Sequence, residues 1–207
     1  NKFKNINIRQ ALKHPNWKMG KKISIDSATM MNKVFEIIEA KKIFDINYKR
    51  LNILIHPKSY VHAIIKFNNG LIKLIAHETD MKIPIYNSLF LSDKKSKKIF
   101  HSKNIDIDKL NNLNFEKINN KRFKSNKILN YLPNNNSLFE TILVTANDEL
   151  VKKFLQKKIK FIEIVSKLLL FLRKPEFKKY KKKSPKNVDE IIKLGNYVRL
   201  KINSKSI

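Results

Sequence analysis

The stretch Asp26–Glu36, DSATMMNKVFE, decides the fold because it joins a predicted strand directly to a predicted helix. The alternation of apolar and polar residues in Ile23–Asp26 is typical of a short strand. From about Ala28 to Ile43 the periodicity is helical, with the polar residues gathered on the opposite face. The apolar face of this predicted helix contains Met30, Met31, Val34, Phe35, Ile37 and Ile38.

The polar face of this helix carries a possible anion site. A helix N-terminus presents unpaired N–H groups and the positive end of the helix dipole. We expect Ser27 at the N-cap, with Asn32 and Lys33 leaning back toward it, a set that suits a phosphate monoester. Glu36 lies on the same face, where a carboxylate near phosphate favours an intervening Mg²⁺ or Mn²⁺. The alternative is an ordinary solvated face on which Lys33 and Glu36 pair with each other.

Two further groups of residues are candidates for function. The loop His14–Gly20 contains the only tryptophan, Trp17, and precedes the predicted strand, so it could cover a bound substrate or simply anchor the loop. His56 and His62 flank a short turn. Because no carboxylate or third histidine stands at ligand spacing, they are better interpreted as sheet-edge histidines than as a metal pair.

The rest of the chain predicts an α/β (α+β) protein. A strand is expected at Leu51–His56 and a hairpin at Val61–Phe67 and Leu71–Ala76, where Asn69-Gly70 supplies the turn. A mixed sheet with helices would form the catalytic part, residues 1–98, followed by a linker, 99–136, and a C-terminal helical domain, 137–207. The remaining expected elements are a turn or helix at Asp80–Phe90 and helices at Ser137–Gln156 (broken near Asn147), Ile162–Leu172 and Val188–Lys201.

Composition limits the classes of protein. The absence of cysteine excludes disulfides and thiolate metal sites, and the longest apolar stretch, Phe161–Leu172, is too short to span a bilayer. The net charge of +28 comes from 45 basic residues, only five of them arginine. Base-reading surfaces favour arginine, so we interpret the lysines mainly as a solvated surface enriched by A/T-rich codons. A Lys-rich nucleic-acid- or anion-binding module without catalysis is the alternative, and the basic loop Arg173–Lys186 is its best candidate surface.

Several motifs resemble one family. Residues 11–33, ALKHPNWKMGKKISIDSATMMNK, closely resemble the 1-deoxy-D-xylulose 5-phosphate reductoisomerases of non-mevalonate isoprenoid biosynthesis. The resemblance continues through Glu36–Ala40, Leu54–Ser59 with His62, and Asp80–Ile85. A weaker echo of an alanine–asparagine–glutamate motif follows at Thr145–Leu150.

This resemblance implies an NADPH-dependent enzyme that converts 1-deoxy-D-xylulose 5-phosphate to 2-C-methyl-D-erythritol 4-phosphate with a divalent cation, Mg²⁺ or Mn²⁺. It implies a homodimer, without specific nucleic acid or membrane partners, in the bacterial cytoplasm or a plastid-type organelle. By the same resemblance Ser27, Asn32 and Lys33 bind the substrate phosphate, and Glu36 binds the metal. The resemblance also implies that the flap over the substrate contains His14, Trp17 and Met19, and that the histidine near the site is His62.

The chain also departs from the family pattern. Two further acidic metal ligands and a phosphate-binding serine that the family carries upstream are not in this sequence, and three glycines cannot form a nucleotide-binding fingerprint. Val34 stands where the family has a small glycine. We therefore expect a fragment that lacks the NADPH domain and is inactive alone.

Overall fold

The computed structural model describes residues 6–13, 19–90 and 104–204. In the N-terminal part, the described residues form the α-helices α1 (Ile8–Ala11), α2 (Lys21–Ala28) and α3 (Met31–Phe44). The strand predicted at Ile23–Asp26 is therefore wrong. Three consecutive residues, Ser24, Ile25 and Asp26, are buried together. A strand would direct neighbouring side chains to opposite faces, so this burial pattern suits a helix end enclosed by other helices.

The helix predicted from Ala28 begins later, at Met31. Met30 precedes it in the left-handed conformation, with φ of 61°, and the Met30 N–H donates to the Ser27 carbonyl at 3.0 Å. Ser27 thus lies in the last turn of α2, and its prediction as the N-cap of the following helix is wrong. The predicted apolar face is confirmed, since the buried residues of α3 are Met31, Val34, Ile37 and Ile38.

The C-terminal part is helical, as predicted. Its helices are α6 (Phe139–Leu155), α7 (Glu163–Leu172) and α8 (Val188–Asn203), and α6 packs against both others. Helix α6 continues unbroken through Asn147, contrary to the predicted break, and this residue is fully buried with its side-chain amide donating to Asp26. Two 3₁₀ helices, Lys124–Tyr131 and Pro175–Lys182, lie in the segments predicted to be a linker and a basic loop.

The chain folds as two compact units. The first comprises the described residues of 1–53 and 118–207 and contains the main hydrophobic core. Its largest fully buried side chains include Phe139, Phe171 and Phe177. None of the described helices is long and apolar enough to cross a membrane.

The second unit, residues 54–117, contains two antiparallel strand pairs. Strand β1 (Leu54–Ile55) pairs with β4 (Glu116–Lys117). Strands β2 (Val61–Lys66) and β3 (Ile72–Ala76) form the predicted hairpin, and Gly70 supplies the positive φ, 88°, in its turn. Its described residues also form the helices α4 (Lys82–Phe90) and α5 (Ile107–Asn111). The α+β class is confirmed, whereas the division at residues 98 and 136 stays a prediction.

Replacing Gly195 with alanine is expected to stabilise the protein. Gly195 is buried in α8, and an added Cβ would meet the Thr145 Oγ1 atom at 3.5 Å, an ordinary contact distance. Because glycine inside a helix loses more backbone freedom on folding, we expect a gain of about 0.5–1 kcal/mol in the free energy of unfolding. Urea denaturation measures this gain. A loss of stability in the alanine variant would show that the packing of α6 on α8 has no room for a methyl group.

Candidate functional site

Asn32, Lys33 and Glu36 form a contact group at the beginning of α3. The Lys33 Nζ atom donates to Glu36 Oε2 at 2.7 Å and to Oε1 at 3.0 Å. The Asn32 Nδ2 atom approaches Glu36 Oε1 at 3.4 Å. Half of the Glu36 side-chain surface is exposed to solvent. The structure therefore brings together three of the predicted site residues, with a cation and an anion on one accessible face.

The Asn32 side chain also has an atom without a hydrogen-bond partner. Its Oδ1 atom is buried and accepts no hydrogen bond from the described part of the chain. A buried, unpaired amide oxygen is costly unless another group completes it. This unpaired atom belongs to the same contact group as the Lys33–Glu36 pair, at the position where the sequence predicts a ligand site.

Ser27 lies near the end of the preceding helix. It is half-buried in the last turn of α2, and only Thr29 and Met30 separate the end of α2 from the beginning of α3. The Thr29 hydroxyl donates within the turn to the carbonyl of Ile25 at 2.9 Å. Ser27 and Asn32 are thus presented from two consecutive helices on either side of one tight turn.

Asp26 is the most buried charged residue of this region. Its carboxylate is fully enclosed and pairs with the Lys22 Nζ atom at 2.6 Å, while the Asn147 Nδ2 atom of α6 donates to Oδ1 at 2.8 Å. Lys22 also pairs with Asp148 at 3.0 Å. Burial raises the pKa of Asp26, and the bonds from Lys22 and Asn147 oppose that rise. The net pKa of Asp26 lies above its ordinary value, because the effect of burial exceeds that of the two bonds.

The Lys22 ammonium contributes a pH-dependent part of the stability. Burial lowers its pKa, but the bonds to Asp26 and Asp148 outweigh burial, so the net pKa lies above the ordinary value of 10.5. A raised pKa means that the contribution is complete below pH 10.5 and is lost as the pH rises through the folded-state value. We expect the stability difference between wild type and Lys22→Met to shrink between about pH 8 and about pH 12. Urea titrations at both pH values test this, and a difference that grows with pH would contradict the assignment.

The other predicted site residues are less informative. His14 and Trp17 lie outside the described residues, whereas Met19 lies just before α2 and is partly buried. His62 is on β2 of the second unit, where its ring stacks on His77 with centroids 3.7 Å apart and its Nε2 atom lies 3.3 Å from the His77 carbonyl. His56 contacts the Asn114 carbonyl through Nδ1 at 2.9 Å, as expected for a sheet-edge histidine. The flap and site roles of these residues stay predictions.

Glu36 fits a divalent cation as one ligand of a shared site. Its carboxylate is accessible, and carboxylate oxygens are the ligands that Mg²⁺ and Mn²⁺ prefer. No cluster of three or more His, Asp or Glu side chains suited to a metal ion occurs within residues 6–13, 19–90 and 104–204. Any cation at Glu36 therefore needs further ligands from substrate, water or protein beyond the described residues.

The sequence reasoning did not identify Asn147, Ser125 and Asp26 as neighbours of the site. The Ser125 hydroxyl, fully buried, donates to the Thr29 carbonyl at 2.7 Å. One signal was available in the sequence. Asn147 falls within the apolar stripe of α6, beside Leu143, Ala146 and Leu150. A polar residue in such a stripe requires a buried hydrogen-bond partner, and here the partner is Asp26.

Comparison with known proteins shows which proteins this chain is similar to. Residues 1–44 match the family model described as the 1-deoxy-D-xylulose 5-phosphate reductoisomerase C-terminal domain, and residues 77–201 match that of the DXP reductoisomerase C-terminal domain. The reductoisomerase of Pelagibacter ubique is 63% identical over 206 residues, covering 100% of this chain and 52% of the relative. That of Clostridium tetani is 36% identical over 205 residues, covering 97% of the chain and 51% of the relative. The chain spans about half the length of these relatives.

Solved structures agree with this similarity. A DOX-P reductoisomerase in complex with NADPH, fosmidomycin and magnesium superimposes with a TM-score of 0.85 at 29% identity, over 98% of this chain and 50% of that one. The Zymomonas mobilis reductoisomerase in complex with NADPH gives a TM-score of 0.79 at 26% identity, over 100% of this chain and 52% of that one. Since one family model spans more than half of the sequence and a relative matches all of it, the chain belongs to the 1-deoxy-D-xylulose 5-phosphate reductoisomerase family.

Proposed function

We propose that this chain is the substrate-binding and C-terminal portion of an enzyme that converts 1-deoxy-D-xylulose 5-phosphate to 2-C-methyl-D-erythritol 4-phosphate. The observation that carries the proposal is the contact group of Asn32, Lys33 and Glu36 at the beginning of α3, in a member of this family. An amide, an ammonium and a carboxylate on one accessible face suit a phosphorylated substrate whose oxygens also meet a cation.

In this proposal the Lys33–Glu36 pair separates when substrate binds. Lys33, which now donates to both Glu36 oxygens, turns to the substrate phosphate together with the Asn32 amide and the Ser27 hydroxyl. Glu36 is then available to hold Mg²⁺ or Mn²⁺. A bound divalent cation would supply Lewis-acid stabilisation of charge on the substrate's ketone and hydroxyl oxygens. Without substrate, the pair keeps both charges partly neutralised. Because the pair is exposed to solvent, little free energy is needed to separate it.

The remaining roles rest on the family resemblance. His14, Trp17 and Met19 belong to a flap that closes over the substrate and excludes water, and His62 matches a family histidine near the site. NADPH, which the related structures contain, binds to protein outside these 207 residues. The complete enzyme acts as a homodimer in the bacterial cytoplasm, the plastid-type organelle being the alternative.

A chimera tests this function. The part of the Pelagibacter ubique relative that this chain does not match would be joined to the 207 residues, since the two sequences are 63% identical where they overlap. We expect NADPH oxidation that requires both 1-deoxy-D-xylulose 5-phosphate and Mg²⁺ or Mn²⁺. A folded, NADPH-binding chimera without this activity would overturn the proposal.

The 207-residue chain alone serves as the comparison in the same assay. We expect it neither to bind NADPH nor to oxidise it, because its three glycines cannot form a nucleotide-binding fingerprint and the described residues contain no cluster of three or more metal-ligating side chains. Turnover by the chain alone would refute this expectation. Binding to nucleic acid that weakens steeply with salt, without turnover by the chimera, would instead support the Lys-rich binding module.

A further inference from the structure

The turn between α2 and α3 is held from two sides by residues distant in sequence. The Asn147 Nδ2 atom, from α6, donates to Asp26 Oδ1 at 2.8 Å, just before the turn. The Ser125 Oγ atom, from the 3₁₀ helix Lys124–Tyr131, donates to the Thr29 carbonyl at 2.7 Å, within the turn. Asp26, Asn147 and Ser125 are completely buried and Thr29 is 5% exposed, so water does not compete for either bond.

These bonds lie beside a residue whose backbone conformation is unfavourable. Met30, which follows Thr29, adopts the left-handed conformation at φ of 61°, a region that side chains with a Cβ rarely occupy. Such a conformation persists only where its surroundings determine it, and it is common where a functional group must be placed accurately. Two buried donors from separate elements are therefore directed at one strained turn, and this turn connects Ser27 to Asn32.

We propose that Asn147 and Ser125 are positioning residues, which hold the α2–α3 turn so that Ser27 and Asn32 together bind the phosphate of the substrate. This inference rests on the proposed function. The mechanism is geometric. Ser27 follows Asp26 in α2, so a bond that holds the Asp26 carboxylate also restricts the position of the last helical turn and of the Ser27 Cα that it carries. The Ser125 bond fixes the Thr29 carbonyl and thereby the path of the chain into α3.

If these bonds only stabilised the fold, their removal would have a different effect on KM and on the melting temperature. Buried charged and polar pairs are often replaceable by apolar residues without loss of stability, and this turn instead retains a carboxylate, an amide and two hydroxyls. Loss of a positioning bond should raise the KM for the phosphorylated substrate, because phosphate binding is weakened in the ground state and the transition state alike. Loss of a merely stabilising bond should lower the melting temperature and leave the KM of the folded enzyme unchanged.

The experiment is done in the active chimera. It compares a single substitution with a double substitution, the reversed pair, in which the amide and the carboxylate exchange places. In Asn147→Asp, a second carboxylate faces Asp26, and the donor is lost. We expect the KM for 1-deoxy-D-xylulose 5-phosphate to rise about tenfold or more, with kcat changed less than about threefold. In Asp26→Asn combined with Asn147→Asp, the amide and the carboxylate exchange places and Lys22 keeps Asp148 as a partner, so the KM should return to within about threefold of wild type.

Two other variants complete the design. Ser125→Ala removes the second bond and should raise the KM in the same way, which keeps the test valid if Asn147→Asp does not fold. Tyr48→Phe is the control, because it removes a hydrogen bond from the Tyr48 hydroxyl to the buried Glu140 of α6, at 3.2 Å, without affecting the turn. It should lower the melting temperature and leave the KM unchanged.

The outcomes separate the two proposals. A KM shift in Ser125→Ala no larger than that in Tyr48→Phe, or no recovery in a folded reversed pair, would overturn the positioning role while the proposed function stands. An unmodified chimera that is folded and binds NADPH but does not turn over the substrate would overturn the proposed function, and the positioning role with it.

Discussion

Replacing Glu36 with glutamine is expected to lower the turnover of the NADPH-dependent reaction by at least about a hundredfold, the usual effect of removing one electrostatic stabiliser. Glutamine has nearly the same shape but lacks the negative charge that a hard cation requires. The measurement is NADPH oxidation by the chimera across a range of Mg²⁺ and Mn²⁺ concentrations. We expect a higher metal requirement together with the loss of kcat.

The fold should survive this substitution. Glu36 is half exposed, and its partner Lys33 lies three residues away on the same helix, a pair that contributes about 0.2–0.5 kcal/mol. Glu39→Gln is the matched control, since Glu39 is an exposed carboxylate one turn further along α3. Its activity should equal that of wild type. Wild-type turnover in Glu36→Gln, with an unchanged metal requirement, would remove Glu36 from the metal site.

The parts of the fold that the sequence predicted well are those with a long, regular pattern. The apolar face of α3 repeats over 14 residues, and the structure buries Met31, Val34, Ile37 and Ile38 from that face. The β2–β3 hairpin was predictable because Asn69-Gly70 supplies turn chemistry between two β-branched segments. Over such lengths, local propensity and tertiary burial favour the same structure.

In short segments, tertiary packing determined the secondary structure, and the local sequence pattern did not predict it. The four residues of Ile23–Asp26 alternate in polarity, but four residues are too few to distinguish a strand from one turn of a helix. In the structure these residues belong to α2, and Asn147, 121 positions away, gives the Asp26 carboxylate a buried partner. The same long-range bond gives a partner to the Asn147 side-chain amide inside α6, where the sequence predicted a break. A bond between residues so far apart has no local signature in a single sequence.

The basic segment Arg173–Lys186 shows a third kind of difference. Its eight basic residues and two prolines predict a solvated loop. The structure instead forms a 3₁₀ helix over Pro175–Lys182 and places one aromatic ring, that of Phe177, in the core. Lysine side chains here lie along aromatic rings, as Lys181 does over Phe139 at 4.9 Å. The many charges of this segment therefore gave no sign that Phe177 is buried in the core, because counting charges does not show which side chains pack against apolar surface.

Replacing Phe177 with alanine is therefore expected to destabilise the helical unit strongly. The Phe177 side chain is fully buried and packs on Phe171, with ring centroids 4.8 Å apart. Deleting a buried phenylalanine removes its transfer free energy and leaves a cavity, which together typically cost about 3–5 kcal/mol. Urea denaturation followed by far-ultraviolet circular dichroism measures the loss, and the melting temperature should fall with it.

The control for this change is Phe44→Ala, which deletes the same side chain from the end of α3, where it is 69% exposed. Its free energy of unfolding should change by no more than about 0.5 kcal/mol, as is usual for surface substitutions. If the segment were the solvated loop that its charges indicate, Phe177→Ala would be as mild as Phe44→Ala. Equal effects of the two substitutions would therefore restore the loop interpretation, whereas a large difference would establish Phe177 as the residue that fastens this basic segment to the core.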